Sequence, residues 1–134
     1  MLLLDASVWV AAKDGSDRHF EPARALAVSP EVSVAALDLT LYEVSNALGV
    51  RRGHSVEAMS LCRLISRRCG GNLLGIDLDL AEAALGASRQ YGLTAYDAAY
   101  VAASERHGWQ LVSLDIRDLV SKGLAVTPDA AVYP

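Results

Sequence analysis

Residues 1–12 read MLLLDASVWVAA. If Leu2 to Leu4 form a buried strand, Asp5 is the first residue to emerge at its carboxyl end, and Ser7 starts an apolar turn through Val8, Trp9 and Val10. In open α/β sheets that edge is where ligands bind. An aspartate there can also simply begin a turn, since its side chain bonds readily to nearby backbone. The two readings separate on whether other carboxylates arrive at the same place.

Outward from this stretch, apolar runs and helical spacings alternate. KDGSDRH is a loop, FEPARALAV a helix leading to Pro30, and VSVAAL (32–37) a strand. Leu41, Val44 and Leu48 fall at helical spacing in a helix from Thr40 to Arg52 that stops at Gly53. A second helix from Ser55 ends at Gly70 and Gly71. LLGID is a short strand, and two helices follow, closed by Gly92 and Gly108. QLVSLD is a strand, IRDLVSKG a short helix, and LAVTPDAAVYP a terminal strand or extended tail. Strands that alternate with helices predict a parallel sheet covered on both faces.

The 134 residues suit one domain spanning 1–134, and 52% hydrophobic against 21% charged residues excludes disorder. The amino terminus lacks a basic region and meets Asp5 after three leucines, so a signal peptide or membrane span is not expected and the protein reads as cytoplasmic. Cys62 and Cys69, seven apart in a helical pattern, stand roughly 10 Å apart along the axis, too far for a disulfide. They read as small apolar thiols.

The net charge of −4 argues against a protein that coats nucleic acid indiscriminately. Its distribution is uneven. Between residues 50 and 72, Arg51, Arg52, Arg63, Arg67 and Arg68 face the single Glu57, which makes one basic helical hairpin on an acidic body. That hairpin is either a solvated face or a phosphate-contacting surface.

Four acids occupy comparable places. Asp5 and Asp115 follow strands, while Glu43 and Asp97 are placed in the first turns of helices. In a parallel sheet these positions share one edge, so the four carboxylates converge. Thr40-x-x-Glu43 and Thr94-x-x-Asp97 each fit the capping-box pattern as well. Yet like charges crowded in one cleft repel and raise one another's pKa values, and a bound cation removes that conflict. The donors are all oxygen. His19, His54 and His107 stand alone, with no metal-ligand spacing, so the pattern favours Mg²⁺, with Mn²⁺ as a substitute, over zinc. Such a site suits phosphodiester hydrolysis.

MLLLDASVWVAA, LYEVSNAL, LTAYDAAYVAAS and LVSLDIRDL together resemble the four acidic motifs of PIN-domain ribonucleases, and the chain length resembles the VapC toxins of toxin-antitoxin pairs. The resemblance covers nearly the whole chain. It implies a three-layer α/β/α sandwich around a parallel sheet. It also implies a Mg²⁺-dependent endoribonuclease, homodimeric and held inactive by a cognate VapB-like antitoxin. The catalytic and metal-holding positions carry over as Asp5, Glu43, Asp97 and Asp115. Ser7 matches the small hydroxyl residue that supports the metal site, and Asn46 a polar position one turn after the glutamate. Asp118 either approaches the ion or faces solvent. Ser113 stands where the family's last motif often has threonine, and keeps the hydroxyl.

Trp9, Tyr96 and Tyr100, at helical spacing beside apolar neighbours, read as core or interface residues before base-stacking platforms. A haloacid-dehalogenase-like phosphatase would need a second acid two residues after Asp5, where Ser7 stands. A response-regulator receiver would need a lysine at a late strand end, and the only lysines are Lys13 and Lys122. The non-enzymatic alternative is an interaction protein on a PIN scaffold that has lost catalysis, against which the intact acid set argues.

Overall fold

The structure, a computed structural model, describes residues 1–133. Four parallel strands form one sheet in the order β3-β2-β1-β4, with β1 at Leu2–Leu4, β2 at Val34–Leu37, β3 at Leu73–Leu74 and β4 at Gln110–Val112. The chain steps outward from β1 to β2 to β3, then returns to place β4 on the other side of β1. This reversal opens a crevice at the carboxyl ends of β1 and β4, the place where open parallel sheets bind ligands. Asp5 and the 113–115 turn emerge there.

Alternation along β1 sets the layers. Leu2 and Leu4 face a core with Val8 and Trp9 of α1 (Ala6–Ala11), Leu26 of α2 (Phe20–Val28), and Leu61 and Ile65 of α4 (Ser55–Cys69). Leu3 faces the opposite core, with Leu80 of α5 (Leu78–Tyr91) and Tyr100 and Val101 of α6 (Ala95–His107). All three leucines are at most 1% exposed. A strand buried on both faces reads as an unbroken apolar run, which is why LLL suffices. The result is a three-layer α/β/α arrangement. Gly92 and Gly108 close α5 and α6 in the left-handed conformation (φ 67° and 65°), which a residue with a Cβ rarely adopts.

Several local expectations change. The third helix, α3 (Asp38–Val44), starts directly after Leu37 with no loop. Thr40 is therefore not its cap. It lies inside the helix, fully buried, and Glu43 stands in the second turn rather than the first. From Ser45 to Arg51 the helix widens into π-type winding, where Ser45 Oγ donates back to the Leu41 carbonyl at 2.7 Å. IRDLVSKG forms a π-type turn at Ile116–Val120. QLVSLD pairs only over Gln110–Val112. The carboxyl-terminal strand reduces to one parallel bridge, Val112 to Val126, followed by a 3₁₀ turn at Pro128–Ala130, and Pro134 lies outside the described residues.

Cys62 and Cys69 are both free and buried. Among the described residues no helix is long and apolar enough to cross a membrane.

Arg68 leaves the phosphate-contacting reading of the basic hairpin. Its Nε donates to the Ala27 carbonyl at 2.7 Å, and one Nη donates to the carbonyls of Ser29 (2.9 Å), Val32 (3.0 Å) and Leu26 (3.4 Å). A helix end leaves carbonyls without intrahelical partners, and this guanidinium supplies them for α2.

Candidate active site

Asp5 caps α1. Its Oδ1 accepts the Val8 amide at 3.3 Å and the Ser7 hydroxyl at 2.5 Å, and its Oδ2 accepts the Ser113 hydroxyl at 2.5 Å. The side chain is 6% exposed. Burial pushes its pKa up to about 6, against the lowering effect of the Ser113, Ser7 and Val8 donors, and the charge of Glu43 adds to the rise. Both serines also accept. Ser7 Oγ takes the Leu114 amide and Ser113 Oγ the Asp115 amide, each at 3.0 Å. The two hydroxyls thus tie the end of β1 to the backbone of the turn that presents Asp115.

Asp115 begins the widened turn. Its Oδ1 accepts the Asp118 amide at 2.9 Å, and its carbonyl receives the amides of both Leu119 and Val120. Such winding is common at functional sites. Opposite, Thr94 caps α6, accepting the Asp97 amide at 3.2 Å. One half of the Thr94-x-x-Asp97 box is therefore present, and it fixes Asp97 in the first helical turn. Burial raises the Asp97 pKa first, then the charges of Asp115 and Asp118, while Lys122 opposes them.

One carboxylate oxygen from each of Asp97, Asp115 and Asp118 lies within 4.8 Å of the others. Asp118, left open between the ion and solvent, therefore belongs to the tightest acidic group. Asp5 and Glu43 lie outside that group: Glu43 feels the charge of Asp97, and Asp5 feels that of Glu43. The donors are all oxygen, and burial first, with like charge adding to it, raises the pKa values of Asp97, Glu43 and Asp5. That chemistry fits a hard divalent cation.

Glu43 is set from behind by Tyr100. The Tyr100 hydroxyl donates to Glu43 Oε1 at 2.6 Å and shares a 2.7 Å hydrogen bond with Thr40 Oγ1. Burial raises Glu43, the Tyr100 bond lowers it and Asp97 raises it again. Tyr100 itself is held well above the usual phenol range, chiefly by burial. Trp9 is wholly enclosed and belongs to the core, whereas Tyr96 is 62% exposed. Asn46 is exposed and shares the wall of a cavity with Ser7 and Glu43.

Two supports escaped the sequence. The linking role of Ser113 depends on a partner 108 residues away. Tyr100 carried a signal, since it stands one helical turn after Asp97, but its apolar neighbours gave it a core reading.

The motifs agree with comparisons across known proteins. A family model described as PIN domain matches residues 2–121. Ribonuclease VapC3 of Pyrobaculum aerophilum is 33% identical over 132 residues, covering 95% of this chain and 98% of that protein. Among solved structures, VapC20 of Mycobacterium tuberculosis, a sarcin-ricin loop cleaving toxin, superposes with a TM-score of 0.67 at 23% identity, covering 92% of this chain and 95% of its own. FitAcB of Neisseria gonorrhoeae superposes with a TM-score of 0.71 at 18% identity, covering 98% of this chain and all of that one. With the acids of all four motifs at or beside one edge of a 3-2-1-4 parallel sheet and a VapC relative matched end to end, the chain belongs to the PIN-domain family, among its VapC members.

Proposed function

We propose that this protein is a Mg²⁺-dependent endoribonuclease, the toxin of a toxin-antitoxin pair acting in the cytoplasm, with Asp5, Glu43, Asp97 and Asp115 as its acid set. The observation that carries the reading is the approach of Asp97, Asp115 and Asp118 to within 4.8 Å at the sheet's switch point. Carboxylates brought this close raise one another's pKa values, and a bound cation relieves that repulsion.

Asp97, Asp115 and Asp118 would hold the ion, with Glu43 and Asp5 adjoining. When bound, a divalent ion supplies Lewis-acid polarisation of the phosphoryl group and makes a water acidic enough to act as nucleophile. The chain's own contribution is placement. Ser7 and Ser113 fix Asp5 and, through the Leu114 and Asp115 amides, the turn that carries Asp115 and Asp118. Tyr100 donates to one oxygen of Glu43 and so holds the carboxylate in the wall of the cleft. Thr94 fixes the first turn of α6 and with it Asp97. Carboxylates fixed in this way would hold a cation facing the negative charge that develops on the phosphoryl oxygens, with no reorganisation during the reaction.

The proposed partner is a VapB-like antitoxin, and the proposed assembly a homodimer. For the antitoxin, support comes from structural relatives that include a toxin-antitoxin complex from Klebsiella pneumoniae and VapBC2 of Rickettsia felis bound to a promoter DNA fragment, while the homodimer rests on the family resemblance alone. Treatment with EDTA should abolish RNA cleavage, and Mg²⁺ or Mn²⁺ should restore it. Full activity after chelation would overturn the metal-dependent reading.

A further inference from the structure

Two cavities adjoin the acids on the α3 side, and Glu43, Asn46 and Arg51 line both. The one nearer the start of α6, about 400 Å³, is completed by Leu39, Tyr42 and Tyr96. Its two tyrosines are unusually open, at 81% and 62% exposed, although a tyrosine ring ordinarily gains by burial. Tyr96 directly precedes Asp97 in the chain and lines this cavity together with Glu43.

Arg51 is the cation of this wall. Arg68 is spent on the α2 carbonyls, and Arg52 lies 3.7 Å from Asp14. Among the described residues Arg51 forms no ion pair, and the π-type winding of Ser45–Arg51 ends on it. An unpaired guanidinium, an open aromatic ring and an amide side chain in one cavity next to the acids match the parts of a nucleotide: phosphate, base face and base edge.

We propose that this cavity is a subsite for one nucleotide of single-stranded RNA next to the bond that is cut, with the base stacked on Tyr96 and its phosphate on Arg51. The proposal deepens the ribonuclease reading and rests on it. A stacked base is recognised only when unpaired, so the subsite selects single-stranded segments over duplex.

The test measures binding of a fluorescent single-stranded oligoribonucleotide to the full chain in an Asp115→Asn background, which prevents turnover, with cleavage assayed separately in the otherwise native protein. Tyr96→Ala should weaken binding roughly 10-fold and Tyr96→Phe should not, because stacking needs the ring and not the hydroxyl. Arg51→Gln should reduce the slope of log affinity against log salt by about 0.7, the value for one phosphate on a single strand. Arg67→Gln, outside both cavities, should leave it unchanged.

An oligonucleotide with an abasic residue at the subsite should bind wild type and Tyr96→Ala equally. The subsite is overturned if the native protein cuts RNA while Tyr96→Ala and Arg51→Gln bind it as the parent does. It is also overturned if Tyr96→Ala loses affinity equally for the abasic strand, or if its main effect is to dissociate a dimer in sedimentation. A native protein that neither binds nor cuts RNA overturns the ribonuclease reading itself.

Discussion

The Ser113 hydroxyl donates to Oδ2 of Asp5 across 108 positions of sequence, and Ser113 Oγ in turn accepts the amide of Asp115. One serine therefore joins the ends of β1 and β4, the strands that flank the crevice. Ser113→Ala leaves one oxygen of a buried carboxylate without its donor, and urea unfolding should show a loss of about 1–3 kcal/mol. Ser113→Thr, which keeps the hydroxyl, should stay close to the parent. Equal stability of the alanine variant and the parent would remove the linking role.

Asp5 makes the metal-free protein sensitive to pH in a defined direction. Its pKa is about 6 in the fold against an ordinary 3.8, so its contribution is fully favourable below about pH 4 and is lost as pH rises through 6. The shift corresponds to roughly 3 kcal/mol. Glu43 and Asp97 are raised too and act with the same sign. Asp14 and Asp77, which are lowered, act in the opposite sense, but only as pH falls through the acid range below about 4. In EDTA the melting temperature should therefore fall between pH 5 and 7.5, and Asp5→Asn should flatten that fall. A parent protein that gains stability over this interval would contradict the assignment.

Arg68 should behave as a structural residue. Arg68→Met retains a long apolar stem but abandons the carbonyls of Ala27, Ser29 and Val32, with an expected loss of about 2–3 kcal/mol in thermal or urea unfolding. Arg67→Gln, on the exposed face of the same helix, should change stability by less than about 0.5 kcal/mol. If the two substitutions cost the same, the carbonyl contacts are not what holds α2 to α4.

Asp118 distinguishes a three-aspartate group from the four acids expected at the outset. In a thermal-shift titration with Mg²⁺, a variant that binds the ion tenfold more weakly loses about 1.4 kcal/mol of ion-dependent stabilisation. Asp118→Asn should show a loss of that order, and Asp129→Asn, on the terminal 3₁₀ turn, should show none. An unchanged Mg²⁺ response in Asp118→Asn would return Asp118 to the solvent-facing reading.

The fold was legible because strands buried on both faces are unbroken apolar runs and helices declare their ends. LLL, VAAL and QLV lie in the sheet, and Gly92 and Gly108 stop helices as read. Strand length was less legible. Whether LLGID pairs over five residues or over Leu73–Leu74 depends on a neighbour strand and not on its own composition. Thr40 shows why the capping-box reading failed for α3: its hydroxyl found Tyr100, 60 residues away, and a tertiary partner overrode the local pattern. In the site, placing an acid on each element needed only parallel topology. Ranking the acids needed distances, which moved Asp118 inward and left Asp5 and Glu43 as neighbours of the tight group.

The most direct test of a metal-holding site at the ends of β1 and β4 is the single-turnover rate of RNA cleavage by Asp97→Asn in saturating Mg²⁺, with circular dichroism to confirm folding. Asparagine keeps the shape and the backbone hydrogen bond to Thr94 but removes one negative charge from the group. The expected result is a folded protein whose rate falls by at least about 100-fold, the scale on which one electrostatic group at an active site acts. A folded Asp97→Asn protein that cuts RNA at the parent rate would contradict the site and the chemistry built on it.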